Sequence, residues 1–466
     1  MEKQGVAAVR SRKTILSALS VRQLSKIARQ CAVTLKGKKK ADLIASVVSK
    51  REHSLSSILD ALSRKELQAL ALRLHLPISG KNRDELIATI SGDKRRSMRG
   101  RILKSLRRQG FRISAGRLVF PDAEDKDRLR QLHTEAVSHR RDIARNTLRR
   151  KEPELLKWIA EGKEVVPQSI DPMLVEVLPG TIEELVFRYT CLHWSIPVSS
   201  GYGRRLRYLV IDASNDRLIG VIGLGDPVFA LAPRDNWIGW TSEQRRARLH
   251  HVLDAFVLGA VPPYSYLLCG KLVAMLAASR EITSRFQQKY GGKESLISQA
   301  KRSGEVALIT TTSALGRSSL YNRLTFRSER MFIPAGFTRG SGEFQFLNGL
   351  YDEMSEFAIK RLTPTAKSKL WGTGFRNRRE VVKKCIHAAG LHQDLLYHGV
   401  QREVFLIPTA SNSAEYLRGD EHALHFYDRR ASEIVAWFFE RWLLKRADRV
   451  PTYRDFSRSS YALWSE

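Results

Sequence analysis

Apolar residues recur at helical spacing through the first third of the chain and then give way to short, strand-like apolar runs. Residues 15–48 and 58–91 carry one pattern twice, displaced by 43 positions. Leu19 falls on Leu62, Ser20 on Ser63, Leu24 on Leu67 and Ala28 on Ala71. Gly37-Lys38 falls on Gly80-Lys81, and Leu43-Ile44-Ala45 on Leu86-Ile87-Ala88. Each copy predicts helix, tight turn, helix. Ser20 with Gln23 and Ser63 with Glu66 have capping-box spacing, which marks the start of each first helix. Asp42 and Glu85 open the second helices.

A helix is predicted over 98–109, broken by Gly110. A hairpin follows, with Phe111-Arg112-Ile113 and Leu118-Val119-Phe120 on either side of Ser114-Ala115-Gly116. Helix plus hairpin is a winged-helix fragment, one helix short. Residues 123–160 predict a charged helical connector with a solvated face. From about residue 165, strands are predicted at 174–178, 208–211, 218–224 and 306–312, with Asn215-Asp216 as a hairpin turn. An apolar run over 251–261 ends at Pro262-Pro263, and a turn and an amphipathic helix follow over 264–279. Residues 318–324 read as a short helix. The order hairpin, strand, helix, strand, short helix suits an α/β sandwich. Residues 435–444 form an apolar helix with Trp437, Phe438, Phe439 and Trp442, facing a core or a partner.

The chain has 466 residues, long enough for two to four domains, and 43% are hydrophobic. No run of about 18 apolar residues occurs, so a membrane span is not expected. The first residues lack a secretory h-region. Four cysteines, at 31, 191, 269 and 385, have no C-x-x-C spacing, which argues against a disulfide framework or structural zinc and for a reducing, cytoplasmic compartment. His250-His251 and His422 with His425 lack a third ligand in register, so no metal is expected. G-x-x-x-x-G-K-[ST] and H-E-x-x-H are absent, which excludes an ordinary P-loop motor and a zincin. No cofactor is legible from these residues.

Charge changes the picture. Lys and Arg number 79 against 48 Asp and Glu, a net of +31. Residues 1–150 hold 36 against 14, a net of +22; the remaining 316 hold 43 against 34, a net of +9. Such concentration is the footprint of a polyanion binder, with nucleic acid the first candidate and a solvated basic face the alternative. The candidate contacts are Lys36, Lys38, Lys39 and Lys40 at the first turn and Lys81 and Arg83 at the second. Arg99, Arg101, Lys104, Arg107 and Arg108 on the next helix join them. A helix N-terminus beside such cations suits phosphate. Because this charge is local, removal of residues 1–92 is expected to weaken DNA binding and leave the rest folded.

The central block offers further candidates. Gly201-Tyr202-Gly203-Arg204-Arg205 could clamp phosphate with Arg204 and Arg205, or be a plain turn. Trp237 and Trp240 beside Arg234-Asp235 could stack on unpaired bases, or fill a buried loop around an Arg–Asp pair. Asp226 could act as a general base or only form a turn. Between 311 and 323, Ser313, Ser318, Tyr321, Arg317 and Arg323 could bind phosphate, with Ser313 and Tyr321 as candidate catalytic groups; capping and packing are the alternative.

Leu-Ser-x-x-x-Leu, then Gly-Lys, then an acidic-Leu-Ile run resembles the SAP module, a helix–extended–helix unit associated with DNA binding. The hairpin at 209–224, the strand near 255–260, residues 267–271 and the strand at 306–312 before Tyr321 resemble the core of GNAT-type acyltransferases. That resemblance implies a cofactor pyrophosphate at Cys269, Gly270 and Lys271 and Tyr321 as acid for a leaving thiolate. The chain departs from it at the phosphate loop, where Cys269-Gly270-Lys271 supplies one glycine.

His193-Trp194-Ser195-Ile196-Pro197-Val198-Ser199, Gly223-Leu224-Gly225-Asp226-Pro227-Val228 and Arg234-Asp235-Asn236-Trp237-Ile238-Gly239-Trp240 occur in that order. Gly259-Ala260-Val261-Pro262-Pro263-Tyr264, residues 311–323 and His398-Gly399-Val400-Gln401-Arg402-Glu403 follow. This series resembles the DruA family of the Druantia anti-phage defence systems over roughly residues 95–450. The resemblance implies a defence role beside a large helicase-like partner, without a known reaction. The expected architecture is α+β and multidomain: SAP-like repeats over 1–52 and 53–93, a basic helix-hairpin and connector over 94–164, a GNAT-like α/β core over 165–335, and a C-terminal α/β and helical region over 336–466. The expected function is a DNA-binding defence component that recognises or modifies nucleic acid. An acyltransferase acting on a base or protein, or a scaffold docking a helicase, are the alternatives.

Overall fold

The computed structural model describes residues 11–34, 37, 39–49, 53–122, 124–201, 203–294, 301–366, 370–372 and 374–464. The chain divides into two compact units. One joins Met1–Val119 to Gln345–Tyr397; the other joins Phe120–Phe344 to His398–Glu466. The linear division at 93/94, 164/165 and 335/336 is therefore corrected: the chain leaves the first unit and returns to it.

In the first unit the helices start where local chemistry places them. Ser20 and Ser63 both close capping boxes, with Gln23 and Glu66, on the Val21–Gln30 and Arg64–Arg73 helices. The second helices are Lys40–Ser49 and Arg83–Ser91, the latter with its own box between Asn82 and Glu85. Gly80 turns the second hairpin at φ +66°. Leu19, Leu24 and Leu43 of the first copy and Leu62, Leu67 and Leu86 of the second share one core. Arg73 donates to the Ala18 carbonyl at 2.9 Å, and Lys26 pairs with Glu66 at 3.1 Å. The two repeats thus form one body, not two domains.

The basic helix runs over Lys94–Arg108, four residues earlier than predicted at its start, because Asp93 accepts the N–H groups of Arg95 and Arg96. It lies tight on the second repeat. A Cβ on Gly100 would meet Glu85 Cγ at 2.8 Å, and Arg96 is paired with Asp60 and Asp84. The expected independence of residues 1–92 is corrected accordingly, since removing them would strip these partners and bare a buried face. The hairpin forms as predicted, Ile113 pairing with Leu118 and Ser114 with Arg117. Two further helices of this unit come from far along the chain. Leu350–Arg361 and Phe375–Ala388 belong to this unit. Gln109 donates to the Gln345 carbonyl at 2.8 Å, and Arg99 to the Gly390 carbonyl at 2.7 Å.

The second unit is built on seven strands: β1 Pro172–Glu176, β2 Leu206–Asp212, β3 Arg217–Gly225, β4 Val252–Ala260, β5 Leu308–Thr312, β6 Ile333–Phe337 and β7 Glu403–Pro408. Their order across the sheet is β6-β7-β5-β4-β3-β2-β1. All neighbours are antiparallel except β4 and β5, which are parallel and pair only from Val252↔Leu308 to Asp254↔Thr310. Beyond Asp254, β4 continues against β3 alone, so the parallel strands part. The predicted helix at 318–324 is only a 3-10 turn, Tyr321–Arg323. The strands β6 and β7 escaped prediction.

The Cys269–Leu276 helix fills one face of the sheet, with Phe286, Ile434 and Phe438. On the other face, Phe187 and Val186 cover one part, and Ile238 and Trp240 another. The aromatic C-terminal segment, Ala431–Phe438 with a π turn at Phe439–Leu443, faces the core: Ile434, Phe438 and Leu443 are fully buried. No described helix is long and apolar enough to cross a membrane.

Candidate functional site where the parallel strands part

The polar stretch after β5 is organised around one carboxylate. Glu403, at the start of β7, accepts the Ser318 N–H at 2.8 Å and the Asn322 amide at 3.1 Å. The Glu403 N–H donates to Ser313 Oγ at 3.0 Å, and Ser313 Oγ donates to the Gly316 carbonyl. Ser313 is thus buried with its hydroxyl engaged on both sides. Tyr321 stacks on Phe332 with centroids 5.2 Å apart and meets Phe405 edge-on at 5.3 Å. Burial pushes its hydroxyl up to about 12, moderated by a hydrogen bond to Thr311. Thr311 Oγ1 in turn bonds the Ala255 carbonyl of β4 at 2.9 Å. Tyr321 therefore sits at the parting of β4 and β5, as a protonated and well-packed phenol.

Beside it lies the Cys269–Leu276 helix. Cys269 is fully buried, and burial raises its thiol well above the ordinary value. Leu320 lies against Gly270, where a Cβ would meet it at 3.1 Å. Lys271 is 9% exposed, with its ammonium 4.5 Å from the centroid of the Trp442 ring. Burial lowers its pKa, and so do the charges of Arg323 and Arg441. Among the described residues none of these three cations has a carboxylate partner. Like charges held together at a helix start are suited to an anion, phosphate included.

The other predicted residues are placed as follows. Asp226 accepts the Arg204 N–H at 3.0 Å and its Nε at 2.9 Å. Arg204 also donates to the His250 carbonyl at 2.8 Å. Gly203 is needed there, since its φ is +66° and a Cβ would meet Asp226 Oδ2 at 1.9 Å. This pair fixes Gly203 and Arg204, while Arg205 remains exposed. Arg234 is fully buried, donating to the Val228 and Phe229 carbonyls and pairing with Asp235. Trp240 is 9% exposed and its indole N–H donates to Asp235. Its assignment as a base-stacking surface is corrected, because the Arg–Asp pair uses it as a wall; Trp237 stays half-buried. Arg317 and Arg323 are exposed.

In the first unit, Lys36 and Lys38 lie outside the described residues. Lys39 and Arg107 are exposed, as is Arg108. Arg108 and several others of the set are engaged by further contacts. Lys40 donates to the Ser17 carbonyl, Lys81 to Thr89, Lys104 to the Gly80 carbonyl and Arg83 to Leu62. Arg83 also pairs with Asp60, and Arg101 with Glu353. These ion pairs are partly exposed, so a competing phosphate meets a weak rival.

Two groups escaped the sequence reading. Arg402 is pressed against the Nε2 of His133 at 3.1 Å, and burial lowers its pKa to about 10. His133 Nδ1 bonds the Leu129 carbonyl, so Nε2 is the acceptor. Burial and then Arg402 hold His133 near 4; the same two causes hold His398 near 3. The second is Asp254, whose only visible signal was a lone acid inside an apolar strand. Burial raises it to about 6, although Thr310, bonded at 3.1 Å, and Arg234 pull the other way. A carboxyl poised there suits general acid–base work.

Asp254 also yields a stability prediction. Its folded pKa lies above the unfolded value of about 3.9, so its contribution is full below that value and is lost as pH rises through about 6. The loss is about 3 kcal/mol for a two-unit shift. Asp254→Asn is expected to raise Tm by several degrees at pH 7.5 and to lose that advantage below pH 4. A lower Tm at pH 7.5 would contradict it.

Among the described residues, no group of three or more His, Cys, Asp or Glu is placed to hold a metal ion. Fold and site together define a two-unit α+β protein, with a basic helical unit and a mixed-sheet unit whose titratable cluster sits where two parallel strands part. The chain belongs to the DruA family: the family model described as Druantia protein DruA matches residues 123–419. It is similar to the Druantia protein DruA of Escherichia coli (strain UMEA 4076-1), with 39% identity over 361 residues, covering 77% of this chain and 89% of the relative. No solved structure matches.

Proposed function

We propose that the chain is the DNA-binding component of a Druantia-type anti-phage defence system, working beside other proteins of that system, a large helicase-like one included. The observation that carries this reading is the charge of the first unit. Its segments 1–119 and 345–397 hold 37 Lys and Arg against 13 Asp and Glu, a net of +24, while the rest of the chain holds 42 against 35, a net of +7. The SAP-like reading of the repeats agrees with it, since each is a helical hairpin with cations at its turn. Binding of single-stranded DNA, duplex DNA and RNA across a salt series tests it. Affinity for none of them at low salt would remove it.

A second reading, a GNAT-like acyltransferase acting on a nucleobase or protein, is favoured by the sheet order with its single parting parallel pair. Lys271, Arg323 and Arg441 beside the parting, without a carboxylate partner among the described residues, also fit a cofactor phosphate. Tyr321→Phe separates the two readings. The stacked ring and the hydroxyl's bond to Thr311 lead to an expected loss of about 1 kcal/mol of stability with defence intact. A well-folded, DNA-binding variant whose rate-limiting step falls about 10²-fold would put the acyltransferase first.

A further inference from the structure

We propose that a cleft of the sheet unit seats an unpaired nucleotide, its base on an apolar floor and its phosphate between two arginines. The cleft encloses about 630 Å³, within the range of about 300–1,000 Å³ usual for small-ligand sites. Its walls are the Lys126–Leu148 and Ile182–Cys191 helices, residues 194–200 and the start of β2. Phe187, Trp194 and Ile196 line it, and Ile143 on the rim is 62% exposed.

Among the described residues that line it are four arginines, Arg140, Arg188, Arg205 and Arg207, and one carboxylate, Glu184. Glu184 is already engaged, with Arg207 at 3.0 Å and the Gly180 N–H at 2.9 Å. Arg140 donates to the Val198 carbonyl. Arg188 and Arg205 are different: both are exposed, neither has an ion pair among the described residues, and the Arg205 guanidinium has a 3.5 Å contact to the Ser200 carbonyl. One cation from a helix and one from the turn just before β2 thus flank an apolar surface.

A purely apolar ligand would leave those charges unused, and an inorganic anion would leave the floor unused. A nucleotide uses both, since a base stacks on apolar and aromatic groups while guanidinium matches phosphate geometry. Bases in a duplex are stacked inside it, so only an unpaired one reaches such a floor. Burial pushes the Cys191 thiol up to about 12, so it lines the cleft as a thiol and not as a nucleophile.

The inference rests on the nucleic-acid reading above but places this contact in the sheet unit, which lets the two be tested apart. The full chain and its Arg188→Glu/Arg205→Glu variant are titrated with an eight-residue oligo-dT, with dTMP and with a duplex, by anisotropy and tryptophan fluorescence. The variant is expected to lose about 10-fold or more on oligo-dT and to keep its duplex affinity, which the first unit supplies. Loss on dTMP as well assigns the same cleft to the free nucleotide. Unchanged oligo-dT and dTMP affinity would overturn the inference and leave the nucleic-acid reading standing, and so would an equal fall for oligo-dT and duplex. A wild type that binds dTMP but no nucleic acid would do the reverse. Arg188→Gln/Arg205→Gln, which removes the charges without reversing them, serves if the first variant does not fold.

Discussion

Raising salt from 50 to 200 mM is expected to weaken DNA binding by about 10³-fold or more, the cost of a protein that neutralises six or more phosphates. A net of +24 on 172 residues supplies the cations. Replacing Lys38, Lys39 and Lys40 by Ala should then lower the slope of log K against log salt by about 0.9 per lost contact on duplex, or about 0.7 on a single strand. Lys39 and Lys40 are both exposed, but Lys40 also holds the Ser17 carbonyl, so circular dichroism should accompany the titration. An unchanged slope would make these lysines a solvated turn. Substitution serves better than deletion, because Arg96 takes both its carboxylates, Asp60 and Asp84, from the segment that a deletion removes.

Acid is expected to unfold the sheet unit between about pH 6 and 4. Four histidines there are held neutral, chiefly by burial: His133 and His193 near 4, His250 and His398 near 3. Their folded values lie below the unfolded value of about 6.5, so the stability they carry is full above it and is lost as pH falls towards the folded values. For His133 and His398, the most buried, that amounts to about 3 kcal/mol each by pH 4.5. Protonating Asp254 returns up to about 3 kcal/mol over the same range, so the four histidines together must outweigh it, and the net loss is still a large part of a typical total of about 5–15 kcal/mol. Thermal melts followed by near-ultraviolet dichroism should show Tm falling steeply below pH 6, and His133→Gln should flatten the fall. A level Tm from pH 7 to 4.5 would refute the account.

Much of the candidate site was legible without being interpretable. Tyr321, Ser313, Lys271 and Asp226 all stood out by residue type. Their bonding did not, because each is held by a group far away in the chain: Ser313 by Glu403, Lys271 beside Trp442, Asp226 by Arg204. Trp240 failed for the same reason, since an exposed and a buried indole look identical in a string of letters.

The sequence by itself determined what depends on neighbours within a few positions. Both predicted capping boxes, the hairpin around residue 115, the Asn215-Asp216 turn and four strands follow from local hydrogen bonds and side-chain period. The tertiary structure decided what depends on distant partners. It joined Gln345–Tyr397 to the N-terminal helices, placed β5 parallel to β4 for three residue pairs, and brought Arg402 onto His133 across 269 positions. It also decided which cations stay exposed, because an arginine is drawn into an internal pair only when folding sets a carboxylate beside it.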